Sequence, residues 1–260
     1  MIYLSFSILN ARLTRHFILQ VEVNEISALY SNQEETDTRV VLYLHYATTL
    51  GYKDAVVRSP DTDIFMILLY HAHTMNLTIY LDTGTGKHRK VVNITELTQS
   101  LGEDCCATLL GFYVFTGEDC TRSFKGKENV GPLKENQGFH AIFRQLLDGW
   151  NVKPHVLKQL KQFTCLMYKR SHESSVDVVR AKLLRKMVGK GNKLTSESKV
   201  NLAGLSPCYS ALKPHIHRVN PQDPGTNISV HSRFWALKHS ESIRMPLGMF
   251  VIVYNDIPMK

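Results

Sequence analysis

Cysteine is scarce and poorly placed for structural work. The chain of 260 residues holds five, with no Cys-x-x-Cys spacing: Cys105 and Cys106 are adjacent, and Cys120, Cys165 and Cys208 stand alone. An odd count without paired spacing argues against a disulfide framework and against a zinc knuckle, and fits reduced thiols inside a cell. The sequons at Asn76, Asn93 and Asn227 then read as chance matches, because glycosylation requires secretion. Long apolar runs are missing as well. None approaches the ~18–20 residues that span a bilayer, so no membrane partner is expected. The first residues lack a basic lead and are soon interrupted by Arg12 and Arg15, which speaks against a secretory signal. The expectation is an intracellular protein, with the nucleus an admissible compartment. No internal repeat is visible.

Charge of one sign is scarce in each half. Residues 1–120 hold 8 Lys+Arg against 14 Asp+Glu, a net of −6, and residues 121–260 hold 23 against 9, a net of +14. An acidic half followed by a strongly basic one suits a polyanionic partner, although lysine-rich helices also arise as solvated faces. Hydrophobic content of 43% is enough for a real core at this length.

The hydrophobic pattern predicts strands at residues 17–23, 55–58, 77–81 and 89–92, with helices at 34–50, 62–73, 94–101 and 105–115. Asn32 or Ser31 is the expected cap of the first helix and Gly51 its end. Beyond Gly131-Pro132 the chain reads as mainly helical, over 137–148, 154–168 and 175–187. Residues 188–204 are polar and rich in Gly, Lys and Ser, and the last fifty residues carry five prolines. The expected organisation is an α/β domain over 1–130, with a largely parallel sheet. A basic helical extension follows at 131–187, then a flexible linker at 188–204 and an irregular segment at 205–260.

Five carboxylates in three short clusters carry the chemistry. Glu35 and Asp37 lie in Ser-Asn-Gln-Glu-Glu-Thr-Asp-Thr-Arg, Asp61 and Asp63 in Ser-Pro-Asp-Thr-Asp, and Asp119 in Phe-Thr-Gly-Glu-Asp-Cys-Thr. Each cluster sits where a strand or loop gives way to an apolar helical run. In an open α/β sheet, functional groups gather outside the carboxyl ends of the strands. Carboxylates collected there repel one another, and a hard cation such as Mg²⁺ or Mn²⁺ relieves the repulsion. Two such ions are what phosphodiester hydrolysis uses. One at a time, Asp37 and Asp61 read equally as helix caps or dipole partners; together the clusters read as a site.

The same segments resemble a known family. Residues 33–129 are similar to the latter part of the PIN-like nuclease domain of the flap-endonuclease/XPG superfamily, in particular its divergent, transposon-derived members in animals. The likeness rests on residues 31–39, 59–64, the Asp-Thr-Gly-x-Gly turn at 82–86, and Leu-Leu-Gly-Phe-x-x-Phe-Thr-Gly-x-Asp at 109–119. It implies a three-layer α/β/α fold and metal-dependent cleavage of nucleic acid, DNA rather than RNA. It also implies that Glu35, or Glu34 one residue earlier, binds a first metal, Asp37 and Asp61 lie between two, and Asp63 and Asp119 hold the second. The family's opening strand bears an aspartate that residues 1–30 do not supply, so an N-terminally incomplete domain with impaired catalysis is expected. The alternative is a non-catalytic nucleic-acid-binding or scaffold protein derived from a mobile element.

Other signals point elsewhere. Leu81-Asp82-Thr83-Gly84 matches the aspartic-protease loop superficially but reads as a plain hairpin turn. Gly84-Thr85-Gly86-Lys87 lacks the span and the following Ser/Thr of a P-loop. The His71/His73 and His215/His217 pairs read as helix-surface histidines rather than zinc ligands. Tyr168, Phe234 and Trp235 read as core residues rather than base-stacking platforms.

Overall fold

The structure is a computed structural model of the chain and describes residues 2–6, 21–25, 36–116, 124, 130–147, 152–188, 204–219 and 250–254. It is a mixed α/β protein. A first strand, β1 (Ile2–Phe6), pairs antiparallel with β2 (Val21–Glu25) in a two-stranded ribbon. The strand expected at 17–23 coincides with β2 over residues 21–23, and residues 17–20 lie outside the described residues.

The main sheet is assembled from β3 (Asp54–Arg58), β4 (Thr78–Thr83), β5 (Lys90–Asn93) and β6 (Phe250–Tyr254), in the order β5-β4-β3-β6. The β3–β4 pairing is parallel, while β4–β5 and β3–β6 are antiparallel. Among the described residues the sheet is therefore mixed rather than largely parallel. The physical reason lies in the connections. β3 runs directly through one helix into β4, and such a single crossover makes neighbouring strands parallel; β4 and β5 are joined by a short hairpin.

Helices form where the apolar spacing calls for them. Helix α1 (Thr36–Thr49) buries Val40, Val41, Leu44 and Ala47, at the i, i+4 and i+7 spacing of one face. It ends in a turn closed by Gly51 at φ 83°, a conformation that favours glycine. Helix α2 (Thr62–His71) is apolar on most sides and packs against α1, α3 (Ile94–Leu101) and α4 (Glu103–Thr116). Asn93 caps α3, its side-chain oxygen accepting from the Glu96 N–H at 3.1 Å, and Gly102 at φ 79° ends it. A described sequon asparagine is therefore in structural use.

α4 joins the two halves of the molecule. It buries residues around its circumference, among them Cys106, Leu110, Phe112, Val114 and Phe115, as a helix enclosed by protein should. After a short helix α5 (Gly131–Glu135), α6 (His140–Leu147) crosses it at Gly111, where an added Cβ would lie 2.3 Å from the Phe143 carbonyl oxygen. That approach brings Phe143 edge-on to Phe112 (5.6 Å between ring centroids) and to Phe163 (4.9 Å). Phe163 belongs to α7 (Pro154–Met167), which packs on α8 (Val176–Val188). The helices expected in 131–187 are thus present, and they share one continuous core with the sheet. Full burial of each such side chain stabilises by about 1.5–3 kcal/mol.

Two features depart from an irregular C-terminal segment. Tyr209–Val219 forms a helix, α9, with Pro214 inside it, and β6 pairs with β3 from Asp54↔Tyr254 to Arg58↔Phe250. The proline removes one helical hydrogen bond, yet Leu212, His215, Ile216 and Val219 are buried and hold the helix in place. The linker expected at 188–204 lies, but for its two ends, outside the described residues. No described helix is long and apolar enough to cross a membrane.

Candidate functional site

The carboxyl ends of β3 and β4 share one edge because the two strands are parallel. β3 leaves that edge at Arg58 and enters α2 through Ser59-Pro60-Asp61. The turn is held by backbone and side chain together. The Ser59 N–H donates to the Asp82 carbonyl on β4 (3.1 Å), the Asp61 N–H to Ser59 Oγ (3.1 Å), and the Asp63 N–H to Asp61 Oδ1 (3.0 Å). Asp61 is thus the N-cap of α2, with extended backbone (φ −81°, ψ 133°). Satisfying an orphan N–H in this way contributes about 1 kcal/mol. The cap uses one carboxylate oxygen of an otherwise exposed side chain and leaves the other.

Asp63, two residues into α2, is only 5% exposed. Its Oδ1 accepts a short hydrogen bond from the Tyr113 hydroxyl on α4. A buried carboxylate needs such donors, since desolvation without them costs several kcal/mol. α4 therefore orients Asp63 as well as filling the core, and α4 is the helix that leads toward Asp119.

Of the five expected site residues, Asp61 and Asp63 are brought together on the first turn of α2. Asp37 lies in the first turn of α1; since α1 ends in the turn that starts β3, Asp37 sits at the end of that helix away from the turn. Its side chain, and Glu34, Glu35 and Asp119 entirely, lie outside the described residues. Among the described residues no three of His, Cys, Asp or Glu converge as a metal-binding group. The two described carboxylates fit a hard cation in donor type, being oxygen ligands with one arm anchored by a phenol and the other capping a helix.

Sequence reasoning missed the strongest electrostatic feature of this edge. Asp82, at the end of β4, is 3% exposed and stands beside Arg58 in the strand register. Arg58 Nη1 donates to its Oδ1 at 2.7 Å, and Arg89 donates through Nε (2.9 Å) to Oδ1 and through Nη2 (2.7 Å) to Oδ2. Arg58 Nη2 also reaches the Gly84 carbonyl at 2.7 Å. The hydrogen bond from Arg89 holds the Asp82 carboxyl below the usual carboxylate range; burial opposes it, and the charges of Arg58 and Arg89 add to it. The plain turn read at 81–84 is a hairpin, and its aspartate is the staple. The signal was present in the sequence, an acid amid apolar strand residues and an arginine ending the preceding strand, but only the register pairs them.

The histidine reading also changes. His71 and His215 are buried rather than on helix surfaces, and His215 Nε2 lies 2.9 Å from the Phe115 carbonyl oxygen, which fixes α9 on α4. Tyr168 is buried, as expected of a core residue, and its hydroxyl donates to the Leu205 carbonyl at 3.1 Å. Phe234 and Trp235 lie outside the described residues. Several cations of α7 and α8 are in structural use. Lys161 lies 5.4 Å over the Tyr209 ring, Arg180 donates to the Ser206 carbonyl at 2.6 Å, and Lys182 pairs with Glu173.

Comparison with known proteins returns no matching family model, no matching curated protein and no matching solved structure.

Proposed function

We propose that the chain carries a PIN-like, flap-endonuclease-type site that hydrolyses phosphodiester bonds in nucleic acid with Mg²⁺ or Mn²⁺. Glu35, Asp37, Asp61, Asp63 and Asp119 would hold the metal. The observation that supports it best is the pair Asp61 and Asp63 at the carboxyl edge of β3, with Asp63 buried yet oriented by Tyr113. When bound, the cations would supply an acidified water and a counter-charge for the leaving oxygen. The chain's own contribution is positional. The cap at Asp61 fixes the first turn of α2, and the phenol of Tyr113 fixes the direction of the Asp63 carboxylate, so that little reorganisation remains when a ligand binds. A three-layer PIN arrangement, DNA rather than RNA as substrate, and a nuclear setting belong to the same reading.

The test is Mn²⁺ binding by isothermal titration calorimetry, comparing the chain with Asp61→Asn/Asp63→Asn, followed by cleavage of labelled oligonucleotides. Micromolar binding that the double variant abolishes is the expected result. Absence of binding in both proteins would refute the metal site and leave a non-catalytic nucleic-acid-binding or scaffold role.

A further inference from the structure

We propose that the β4–β5 hairpin is a preformed clamp for the phosphate backbone of a nucleic acid, set beside the Asp61/Asp63 turn; this rests on the nucleic-acid reading above. The hairpin runs from Thr83 to Lys90, which face each other in the register, and its return limb carries Lys87, His88, Arg89 and Lys90 in succession, all exposed. There is no acidic residue between Asp82 and Glu96. Three permanent positive charges therefore project from one short loop in the half of the chain that is otherwise acidic.

The loop is held rather than loose. Gly84 has φ 77°, and a Cβ there would lie 2.3 Å from the His88 carbonyl oxygen, so the two limbs are in contact. Backbone bonds from His88 N–H to the Thr85 carbonyl (3.0 Å) and from Arg89 N–H to the Gly86 carbonyl (3.2 Å) close the turn. Arg58 grips its start through the Gly84 carbonyl. Arg89 uses Nε and Nη2 on Asp82 and remains 62% exposed, with Nη1 outside the pair. A guanidinium carries five N–H donors in a fixed fork. Held edge-on by a buried carboxylate, it offers the remainder to a phosphate with its rotamer freedom already spent on folding.

The Asp82–Arg58–Arg89 staple on its own explains one of these cations, Arg89, and a lysine on an edge strand, such as Lys90, is a common guard against edge pairing. Neither accounts for Lys87 at the tip or for the surplus of positive charge. The location favours a substrate role. The Asp82 carbonyl accepts from Ser59, whose hydroxyl accepts from Asp61, so the base of the hairpin and the carboxylate turn are consecutive links of one hydrogen-bonded chain. A phosphate backbone lying on the hairpin would pass the two aspartates.

The test measures binding of fluorescein-labelled single-stranded DNA and RNA oligonucleotides of matched sequence to the full chain, by anisotropy, in EDTA and across 50–200 mM salt, a range over which phosphate contacts register as about 0.7 of log–log slope each on single strands. The variant Lys87→Gln/Lys90→Gln alters two exposed side chains outside the staple. Its slope should be shallower by about 1.4, with affinity at low salt weakened by roughly tenfold. Lys158→Gln/Lys186→Gln, on α7 and α8, should leave the slope unchanged. A hairpin variant that binds as tightly and as salt-dependently as the unaltered chain overturns the clamp, as does a loss confined to the α7/α8 variant. Failure of the metal reading shows separately, as absence of Mn²⁺-dependent cleavage and binding while the hairpin effect in EDTA persists. No binding of either oligonucleotide by the unaltered chain overturns the clamp. The DNA and RNA arms identify which backbone is held.

Discussion

Replacing Asp82 with alanine tests the electrostatic logic of the sheet edge. The carboxylate is 3% exposed and accepts from two guanidinium groups. Its removal does not affect the two equally. Arg89, 62% exposed, can rehydrate, whereas Arg58, 18% exposed, keeps only its bond to the Gly84 carbonyl and loses its counter-charge. Breaking a buried pair from one side costs about 3–5 kcal/mol, because the other charge is left behind. With one of two arginines free to reach water, the lower end applies, about 3 kcal/mol. For a core of this size that corresponds to a melting temperature lower by about 6–12 °C. The pH dependence fixes the cause. The folded-state pKa of Asp82 lies below its ordinary value, so its contribution is fully present above the unfolded value near ~3.9 and fades as pH falls through the folded one. The deficit of Asp82→Ala should therefore be constant from pH 7 to about 4.5 and shrink on further acidification. Urea denaturation followed by circular dichroism at neutral pH, at about pH 4.5 and again well below about pH 3.9 measures it. Adding Arg58→Met to Asp82→Ala should recover part of the loss, since both partners are then gone. A deficit under about 0.5 kcal/mol at neutral pH, where surface substitutions usually fall, or one that persists in acid, would refute the reasoning.

Two further outcomes follow from packing and from thiol environment. Gly111→Ala places a methyl 2.3 Å from the Phe143 carbonyl oxygen; overpacking of about 1–3 kcal/mol outweighs the roughly 1 kcal/mol gained in helix propensity. The variant should be less stable in urea, and an equally stable protein would show that α4 and α6 do not touch there. Among the cysteines, burial pushes the thiols of Cys106 and Cys165 up, whereas the Ser210 hydroxyl beside partly exposed Cys208 draws its thiol down. Thiolate is the reactive form, so iodoacetamide at neutral pH should label Cys208 well before the other two. Peptide mapping by mass spectrometry reads the order, and early labelling of Cys165 would contradict it.

What was legible in the sequence was local. The helices α2, α3, α4, α6, α7 and α8 begin and end within a few residues of the limits that apolar spacing and, for α2, the cap at Asp61 announce, because caps and periodicity act over one or two turns. Long-range pairing was not. Phe250–Tyr254 is an unbroken run of β-branched and aromatic residues, a fair strand signal, yet its partner β3 lies about two hundred residues away and antiparallel to it. Nor does local pattern tell that Pro214 will be tolerated inside α9, a matter decided by the burial of Leu212 and Ile216. The candidate site divides along the same line. Asp61 and Asp63 announce themselves as a pair at a strand-to-helix junction, whereas Arg58, Asp82 and Arg89 become a group only when β3 lies beside β4 in the observed register. That register therefore controls both signs of charge at once. It sets Asp82 under Arg58 and the hairpin cations, and through Ser59 it anchors the turn that presents the two aspartates. A one-residue slip would turn Asp82 to the opposite face of the sheet, leave both arginines without their partner, and remove the hydrogen bond that seats Ser59. The acidic turn and the basic hairpin are thus one structural unit, and a function that needs both stands or falls with the β3–β4 pairing.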